Sequence, residues 1–495
     1  MSEQGLVLKA KTALTDVKKY WRAPNEGNYV SNREIAVFSG GGIGVKTVNA
    51  MVSAIQMTST SLLVGSVYKL SPSDLFTLFL ITNVIGILKT PVVSWLVDNT
   101  NTKIGKFRPY LLWAGFPCVA GVIGMTWFVP LDAPPLTKMV LIGIYYNVLC
   151  IGQGMYGNAY INLSQVISPN SAERSKIMSI SEFVANLGPS IVNIVLPIFA
   201  NIFFGDEGLL TIEAYRMLLP AFTIAGFLLG LSVRAKTEER VIRPIETREK
   251  VRMADGLRQF TANREFVIVA ISKFFEMIKN STSSFFGWIC LYQMKNSAMF
   301  GILPSIVAFA NVPGMLLAPA LINRFGYRKL GVTLFSMNTA TLIIMLLTFR
   351  RGVAFYVIAL FLFTLANGPQ YILQTSLTAD ALDQQQLKTN ERVESFILNI
   401  QGVFGILGGI ATMFSQTFIF ERFGLAADAN GMTSYDVLAD AAIREPIISA
   451  GIALALAASV FCVLPFFASR MTKQKHGEII EKLQDLVRDQ ELAGN

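Results

Sequence analysis

The chain has 495 residues, 52% of them hydrophobic and only 15% charged, with a mean hydropathy of +0.49. Soluble domains carry about 25% charged residues, and here the apolar residues run in long, nearly uncharged stretches such as 139–149, 217–231 and 447–467. About twenty apolar residues cross a bilayer, so the composition describes a polytopic membrane protein and excludes the soluble enzyme classes. The net charge is +9, from 42 Lys and Arg against 33 Asp and Glu, with one histidine, His476. These basic residues gather in short loops between apolar runs, where they set topology; no nucleic-acid-binding module accompanies them. The four cysteines (Cys118, Cys150, Cys290, Cys462) lie inside apolar runs without paired spacing, which argues against a disulfide framework or a zinc site. Residues 1–33 are polar, and removal of a signal peptide is not expected.

Twelve membrane segments are predicted, at about 34–64, 73–97, 109–131, 137–165, 175–204, 214–234, 264–294, 298–322, 330–349, 352–380, 391–422 and 445–469. A polar stretch from Arg234 to Arg264 splits them into six and six. The expected fold class is therefore an all-α membrane protein, twelve transmembrane helices in two pseudo-symmetric six-helix halves, the outline of a major facilitator-type transporter. Its parts are an N-terminal extension (1–33), a first half (34–234), a central loop (235–263), a second half (264–470) and a tail (471–495). A weak internal repeat supports the two halves: NTKIGKFRPY (101–110) follows the second segment and NRFGYRKLG (323–331) the eighth.

Orientation follows from the Lys and Arg bias. Lys103, Lys106 and Arg108 fall in one loop, Arg174 and Lys176 in another, and further basic residues in the central loop and tail. Acidic residues such as Asp206, Glu207, Asp428 and Asp436 mark the opposite side. Both termini are expected in the cytoplasm, in a multi-pass protein of the cell membrane. Apolar positions Ile479, Ile480, Leu483 and Leu486 give the tail helical spacing, as a helix on the membrane surface or in solvent.

Charged groups within the apolar segments are costly and so are functional candidates. Lys46 lies about twelve residues into the first segment, roughly 18 Å at the helical rise, near the midplane. Lys89 sits nearer an end, where its stem can snorkel. Glu182 falls in the fifth segment. Glu276 has Lys273 and Lys279 three residues to either side, on neighbouring helical positions. The Gly run from Gly40 to Gly44 lacks the strand and the Gly-Lys-Ser/Thr ending of a phosphate loop and suits close helix packing instead. With His476 confined to the tail, no catalytic residue and no metal site is expected.

Two segments, Pro91–Tyr110 (PVVSWLVDNTNTKIGKFRPY) and Leu373–Ser395 (LQTSLTADALDQQQLKTNERVES), resemble the signature motifs of the glycoside–pentoside–hexuronide:cation symporter family, the melibiose-carrier branch of the major facilitator superfamily. The second carries Ala379, Asp380, Asp383, Arg392, Glu394 and Ser395 in register. Together with Lys106 and Arg108, the residues Asp380, Asp383, Arg392 and Glu394 fall at cytoplasmic helix ends, where opposite charges suit a gate that opens and closes. Set beside the family pattern, the two acidic positions of the cation site read Thr90 and Gly86, with Lys89 between them. The fourth-helix polar position falls on Asn158. The sugar-binding acid of the first helix falls on Lys46, its basic partner on Glu182, and an eleventh-helix Lys position on Ile406. The carboxylate cage that sodium needs is thus missing, and a proton could use Glu182 or Glu276 instead.

The resemblance implies alternating-access transport of a glycoside, pentoside or hexuronide, without a cofactor, coupled to H+ or Na+ with the proton favoured. Lys46, Asn158, Glu182, Trp288, Tyr371 and Gln374 are the substrate-binding candidates; Tyr156, Tyr160 and Tyr292 are further rings suited to sugar stacking. Lys89, Thr90, Lys273, Glu276 and Lys279 are the candidate charge network. The lysine excess leans toward an anionic sugar. The expected partners are the sugar and the lipid bilayer, with no nucleic acid, and a monomer suffices. A lysolipid carrier of the same family is the alternative, followed by a transport-inactive membrane sensor.

Overall fold

The computed structural model describes residues 19–240, 253–389 and 394–485, except 56, 59, 99, 101, 473, 476, 480, 483 and 484. The described residues are helical, with one isolated bridge between Thr102 and Gly105 and no strand. In chain order the main helices are α1 Asn32–Ile55, α2 Pro72–Asp98, α3 Tyr110–Trp127, α4 Pro135–Val166, α5 in two pieces (Ser171–Ala185 and Leu187–Phe204), and α6 Ile212–Lys236. They continue as α7 Arg264–Lys279, α8 Ser297–Phe309, α9 Asn311–Thr348, α10 Val353–Thr389, α11 Glu394–Arg422 and α12 Ala441–Phe467.

Among the described residues, ten helical stretches are long and apolar enough to cross a membrane. One of them, Ser297–Arg351, covers both the eighth and ninth expected segments. Its arms meet inside α9 at Gly326, whose φ of 73° breaks the helix in a conformation that only glycine adopts without strain. The seventh expected segment is α7 and its continuation, whose apolar run is interrupted by Lys273, Glu276 and Lys279. These stretches are consistent with twelve segments.

Contacts divide the chain into two units. The first comprises residues 1–246 with 295–301 and 428–433; the second comprises 247–294, 302–427 and 434–495. In the first unit α1 is central, packing on α4, α5 and α6. The Gly run makes this possible: a Cβ on Gly44 would meet the backbone of Gly226 and Gly230 in α6, and one on Gly188 in α5 would meet the backbone of Ile43 and Thr47. In the second unit α7 packs on α11 and α12, and α9 on α10.

The two units repeat several details. The first segment stops being α-helical at Ile55 and resumes as a π-turn at Leu62–Val67, followed by Lys69 at φ 58°. Ser61 bridges this break, donating to Ile55 O (3.0 Å) and accepting from Val64 N (3.1 Å). In the second unit α7 passes into a 3-10 stretch, Asn280–Phe285, then a π-turn, Ile289–Gln293, and Lys295 at φ 50°. The sequence repeat also has a backbone counterpart, since Gly105 and Gly326 both have positive φ.

Two expectations change. Helix α10 runs on to Thr389, past the expected end near residue 380, because Ala379–Lys388 holds no Gly or Pro and consists largely of strong helix formers. The tail is helical and mostly exposed where it is described, but it also packs on the protein: Met471 and Ile479 are buried with Ile268, Leu330, Leu377 and Phe466 of the second unit. Ile480, Leu483 and Leu486 lie outside the described residues.

Because α1 and α6 touch through backbone at Gly44, Gly44→Ala is expected to destabilise the protein by about 1–3 kcal/mol, the usual cost of overpacking. A melting curve of the purified variant in lipid nanodiscs measures this, with Gly40→Ala, where a Cβ meets open space, as the neutral control.

Candidate functional site

In the first unit, Lys46 of α1 and Glu182 of α5 form an ion pair, Nζ to Oε1 at 2.6 Å. The lysine side chain is 19% exposed and the glutamate side chain 52% exposed, so the pair has one sheltered and one open end. The two helices meet there through Gly188, and this close approach brings a lysine stem within reach of a carboxylate on the facing helix. Asn158 of α4 is exposed and Lys89 of α2 is partly exposed. Thr90 lies in α2, with its side chain outside the described residues.

The aromatic candidates fare differently. Trp288 is fully buried among Phe285, Phe420 and Tyr435, and presents no ring face to a ligand. Tyr156, Tyr160 and Tyr292 are buried as well, with Tyr160 stacked on Phe38 at 4.6 Å. These rings fill the helix packing and are corrected from sugar platforms to core. Tyr371 is 62% exposed, whereas Gln370 and Gln374, one turn apart on α10, are both buried. Tyr371 therefore does not share a face with the two glutamines.

The second unit holds the other charges in one polar network. Lys279 is completely buried. Its ammonium donates to Gln370 Oε1 (2.7 Å) and Asn367 Oδ1 (3.0 Å), and Glu276 Oε1 lies 4.0 Å away. The Asn338 amide satisfies both of its ends when its oxygen faces Lys279 (2.9 Å) and its nitrogen donates to Phe363 O (3.1 Å). The rings of Phe335 and Phe363 lie 5.0 and 5.3 Å from the same nitrogen. Glu276 also accepts from Gln374 Nε2 (2.8 Å), and Lys273 donates to Gln401 Oε1 (3.3 Å), which lies within reach of Thr378. Gln374 is thus a partner of Glu276. Asn338, Asn367, Gln370 and Gln401 were not among the sequence candidates, although amides inside apolar segments are a readable signal.

At the end of the first unit that carries the basic loops, three carboxylates collect backbone N–H groups. Glu239 accepts from the amides of Lys106 (2.8 Å), Phe107 (2.8 Å) and Arg108 (3.0 Å), a nest made possible by Gly105 at φ 114°. Glu173 accepts from Tyr29 N and Val30 N, each at 3.0 Å at best, and from the Ser168 hydroxyl. Glu34, in the first turn of α1, is bound bidentately by Arg240 (both 2.8 Å) and by Glu238 N (3.1 Å). That carboxylate holds the Arg240 guanidinium above its ordinary pKa. The second unit repeats the device: Glu265, in the first turn of α7, accepts from Ser469 Oγ and Arg470 N, both at 2.8 Å.

Of the gate candidates, Arg108 donates to the carbonyls of Arg234 (2.8 and 3.1 Å) and Ile104 (3.2 Å). The Lys106 ammonium lies 5.5 Å from the Phe107 ring. Asp380 accepts from the Tyr327 hydroxyl (2.7 Å), and Asp383 is partly exposed on α10. Glu394 opens α11 with its side chain outside the described residues, and Arg392 lies outside them altogether.

Reversing either member of the Lys46–Glu182 pair leaves two like charges in an apolar unit. Lys46→Glu and Glu182→Lys are each expected to reduce transport at least tenfold, and the double exchange to recover a substantial part of it; uptake into proteoliposomes reads the cycle. Glu239→Ala strips the acceptor from three half-buried amides, at about 1 kcal/mol for each hydrogen bond lost. The expected result is a lower melting temperature and faster tryptic cleavage at Lys103 and Lys106.

A family model described as "MFS/sugar transport protein" matches residues 38–466. The chain is 24% identical over 368 residues to the uncharacterised symporter YnaJ of Bacillus subtilis (strain 168), covering 73% of this chain and 78% of that protein. It is 22% identical over 442 residues to a lactose permease of Lactobacillus delbrueckii subsp. bulgaricus, covering 82% of this chain and 66% of the permease. Among solved structures, a bacterial homologue of the human lysosomal transporter Spinster superposes with a TM-score of 0.62 at 13% identity, covering 88% of this chain and 98% of that one, which shows a common fold. With the model spanning most of its length, the chain belongs to the MFS/sugar transport protein family, within the glycoside–pentoside–hexuronide:cation symporters that its two motifs resemble.

Proposed function

We propose that the protein is a secondary transporter that carries a sugar across the cell membrane by alternating access, with both termini in the cytoplasm and a proton as the coupling ion. The observation that carries the reading is the Lys46–Glu182 pair, an ammonium and a carboxylate with one open end inside an apolar helical unit. An ammonium donates three hydrogen bonds and a carboxylate accepts several, so the pair offers a sugar both kinds of partner. Protonation of Glu182 would cancel its attraction for Lys46 and free the ammonium for a substrate oxygen, tying proton uptake to substrate binding at one place. The symporter and lactose-permease names of the relatives support transport of a sugar with a cation.

An acidic sugar fits best. Lys46 is the charge that stays when its partner loses its own, and Lys89 adds a second partly exposed cation. The gate role of Lys106, Arg108, Asp380, Asp383, Arg392 and Glu394 rests on the family motifs alone, and the partners found for Arg108 and Asp380 lie inside their own units.

Binding of a panel of neutral and acidic glycosides to the purified protein, with and without sodium and from mildly acid to mildly alkaline pH, tests the reading. Uronides are expected to bind independently of sodium, with an affinity that tracks pH in wild type and loses that dependence in Glu182→Gln. Sodium-dependent binding of a neutral glycoside would overturn both the proton and the acidic-sugar assignments.

A further inference from the structure

At the end of the second unit away from Arg264, three connections come together: the π-turn Ile289–Gln293 after α7, the 3-10 turn Phe349–Arg351 between α9 and α10, and the first turn of α12. A small pocket, open on one side, lies among them. Ile289, Phe349, Val353 and Ile448 give it an apolar wall, and Arg350, Arg444 and Glu445 supply its charges, two cations to one anion. Of its other polar groups, the Tyr356 hydroxyl already donates to Thr282 O, and Gln293 is exposed. Arg444 is 6% exposed, yet only one of its three side-chain nitrogens is bonded. Nη1 donates to Leu438 O (2.8 Å) and Ala439 O (3.0 Å), whereas Nε and Nη2 have no hydrogen-bond partner among the described residues. Buried polar groups are nearly always paired, and a guanidinium with N–H groups to spare at the wall of a pocket suits an anion. The Arg350 side chain is 60% exposed; its Nε lies 3.5 Å from Glu445 Oε2, and its guanidinium carbon 5.6 Å from the Phe349 ring. An exposed pair of this kind contributes little, so Arg350 can exchange the carboxylate for a stronger acceptor.

Planar guanidinium groups bind phosphate oxygens through paired N–H donors. The pocket sits where apolar helices end, which is the level at which a bilayer holds its headgroups. Its apolar wall adds nothing to the binding of a small inorganic ion, but it can pack on the glycerol carbons of a lipid. We propose that the pocket binds the phosphate of a membrane phospholipid, with Arg444 Nη2 and the Arg350 guanidinium on its oxygens and Phe349, Val353 and Ile448 against its glycerol. The lipid then supplies the buried arginine with the acceptor that the chain itself does not. This inference stands apart from the sugar reading and does not depend on it.

The test uses the full chain purified in a maltoside detergent, which carries no phosphate. Native mass spectrometry counts the lipid bound, and melting curves are read on adding phosphatidylglycerol, diacylglycerol with the same acyl chains, or inorganic phosphate at constant ionic strength. Wild type is expected to bind one phosphatidylglycerol saturably and to melt several degrees higher with it, to ignore diacylglycerol, and to need at least tenfold more inorganic phosphate for any shift. Arg350→Gln changes an exposed side chain and is expected to fold and to bind the lipid at least fivefold more weakly. Arg351→Gln removes a neighbouring exposed arginine that does not line the pocket and is expected to bind as wild type does. Arg444→Lys is expected to weaken binding further; whether or not it folds, the comparison of Arg350→Gln with Arg351→Gln decides. Equal binding by Arg350→Gln and wild type would overturn the proposal, as would an equal loss in Arg351→Gln, because net charge rather than the pocket would then hold the lipid. A shift with diacylglycerol as large as that with phosphatidylglycerol would overturn the phosphate assignment. Inorganic phosphate acting at the same concentration as the lipid would make this a site for a free anion and overturn the lipid assignment.

Discussion

A charge placed among apolar helices has to find its partners inside the protein, because lipid offers none. The molecule meets this constraint largely with oxygen dipoles. Lys138, almost fully buried, donates to the Tyr68 carbonyl (3.0 Å). Arg444 donates to the carbonyls of Leu438 and Ala439 at 2.8 and 3.0 Å. Arg108 binds two carbonyls, and Lys279 three side-chain amides. Cations can thus outnumber carboxylates inside the helical units while each of these four keeps at least one oxygen partner. The same solution fixes geometry, because a carbonyl or amide dipole satisfies a cation only from one direction.

The two units apply that solution to different ends. In the first, Lys46 answers to a single carboxylate that is half open to its surroundings, an arrangement easily disturbed by a proton or a ligand. In the second, Lys279 is enclosed by several partners at once, and displacing it would leave all of them unsatisfied. Breaking one partner of a buried pair costs about 3–5 kcal/mol, and here the lysine has four. The first pair is thus the more accessible of the two and the second the more enclosed. Related helical plans, with glycine-mediated contacts around α1 and an amide network around α7, account for the contrast.

The apolar segments, the two halves and the residues that bear charge inside them were legible in the sequence, because long uncharged runs and isolated ionic groups stand out at any alignment. The faces of the helices were not. Trp288 and Tyr371 both read as rings in apolar segments, yet one is sealed among Phe285, Phe420 and Tyr435 and the other is exposed. A helix that is apolar on every side has no moment to tell its faces apart. The Glu239 nest was equally hidden, since its partners are three backbone amides and backbone amides carry no letter in a sequence. Lys279 was visible as a charge, but its partners are scattered over α9 and α10, brought together only by packing. By contrast, Glu34 and Glu265 each stand in the first turn of the first membrane helix of a unit, where an acidic residue is favoured by the helix dipole, and the repeat could have drawn attention to them.

Those two glutamates bear on how the chain is strung. Each takes hold of the segment that leaves the last helix of its own unit: Glu34 binds Glu238 and Arg240 after α6, and Glu265 binds Ser469 and Arg470 after α12. Each six-helix stretch is thereby fastened from its first membrane helix to the segment that leaves its last. Each fastening thus joins the two ends of one six-helix stretch and takes no residue from the other stretch. Two separate polypeptides, one ending after Arg240 and the other starting before Met253, would each still carry both partners of its own fastening, while residues 295–301 and 428–433 of the first unit would arrive on the second polypeptide.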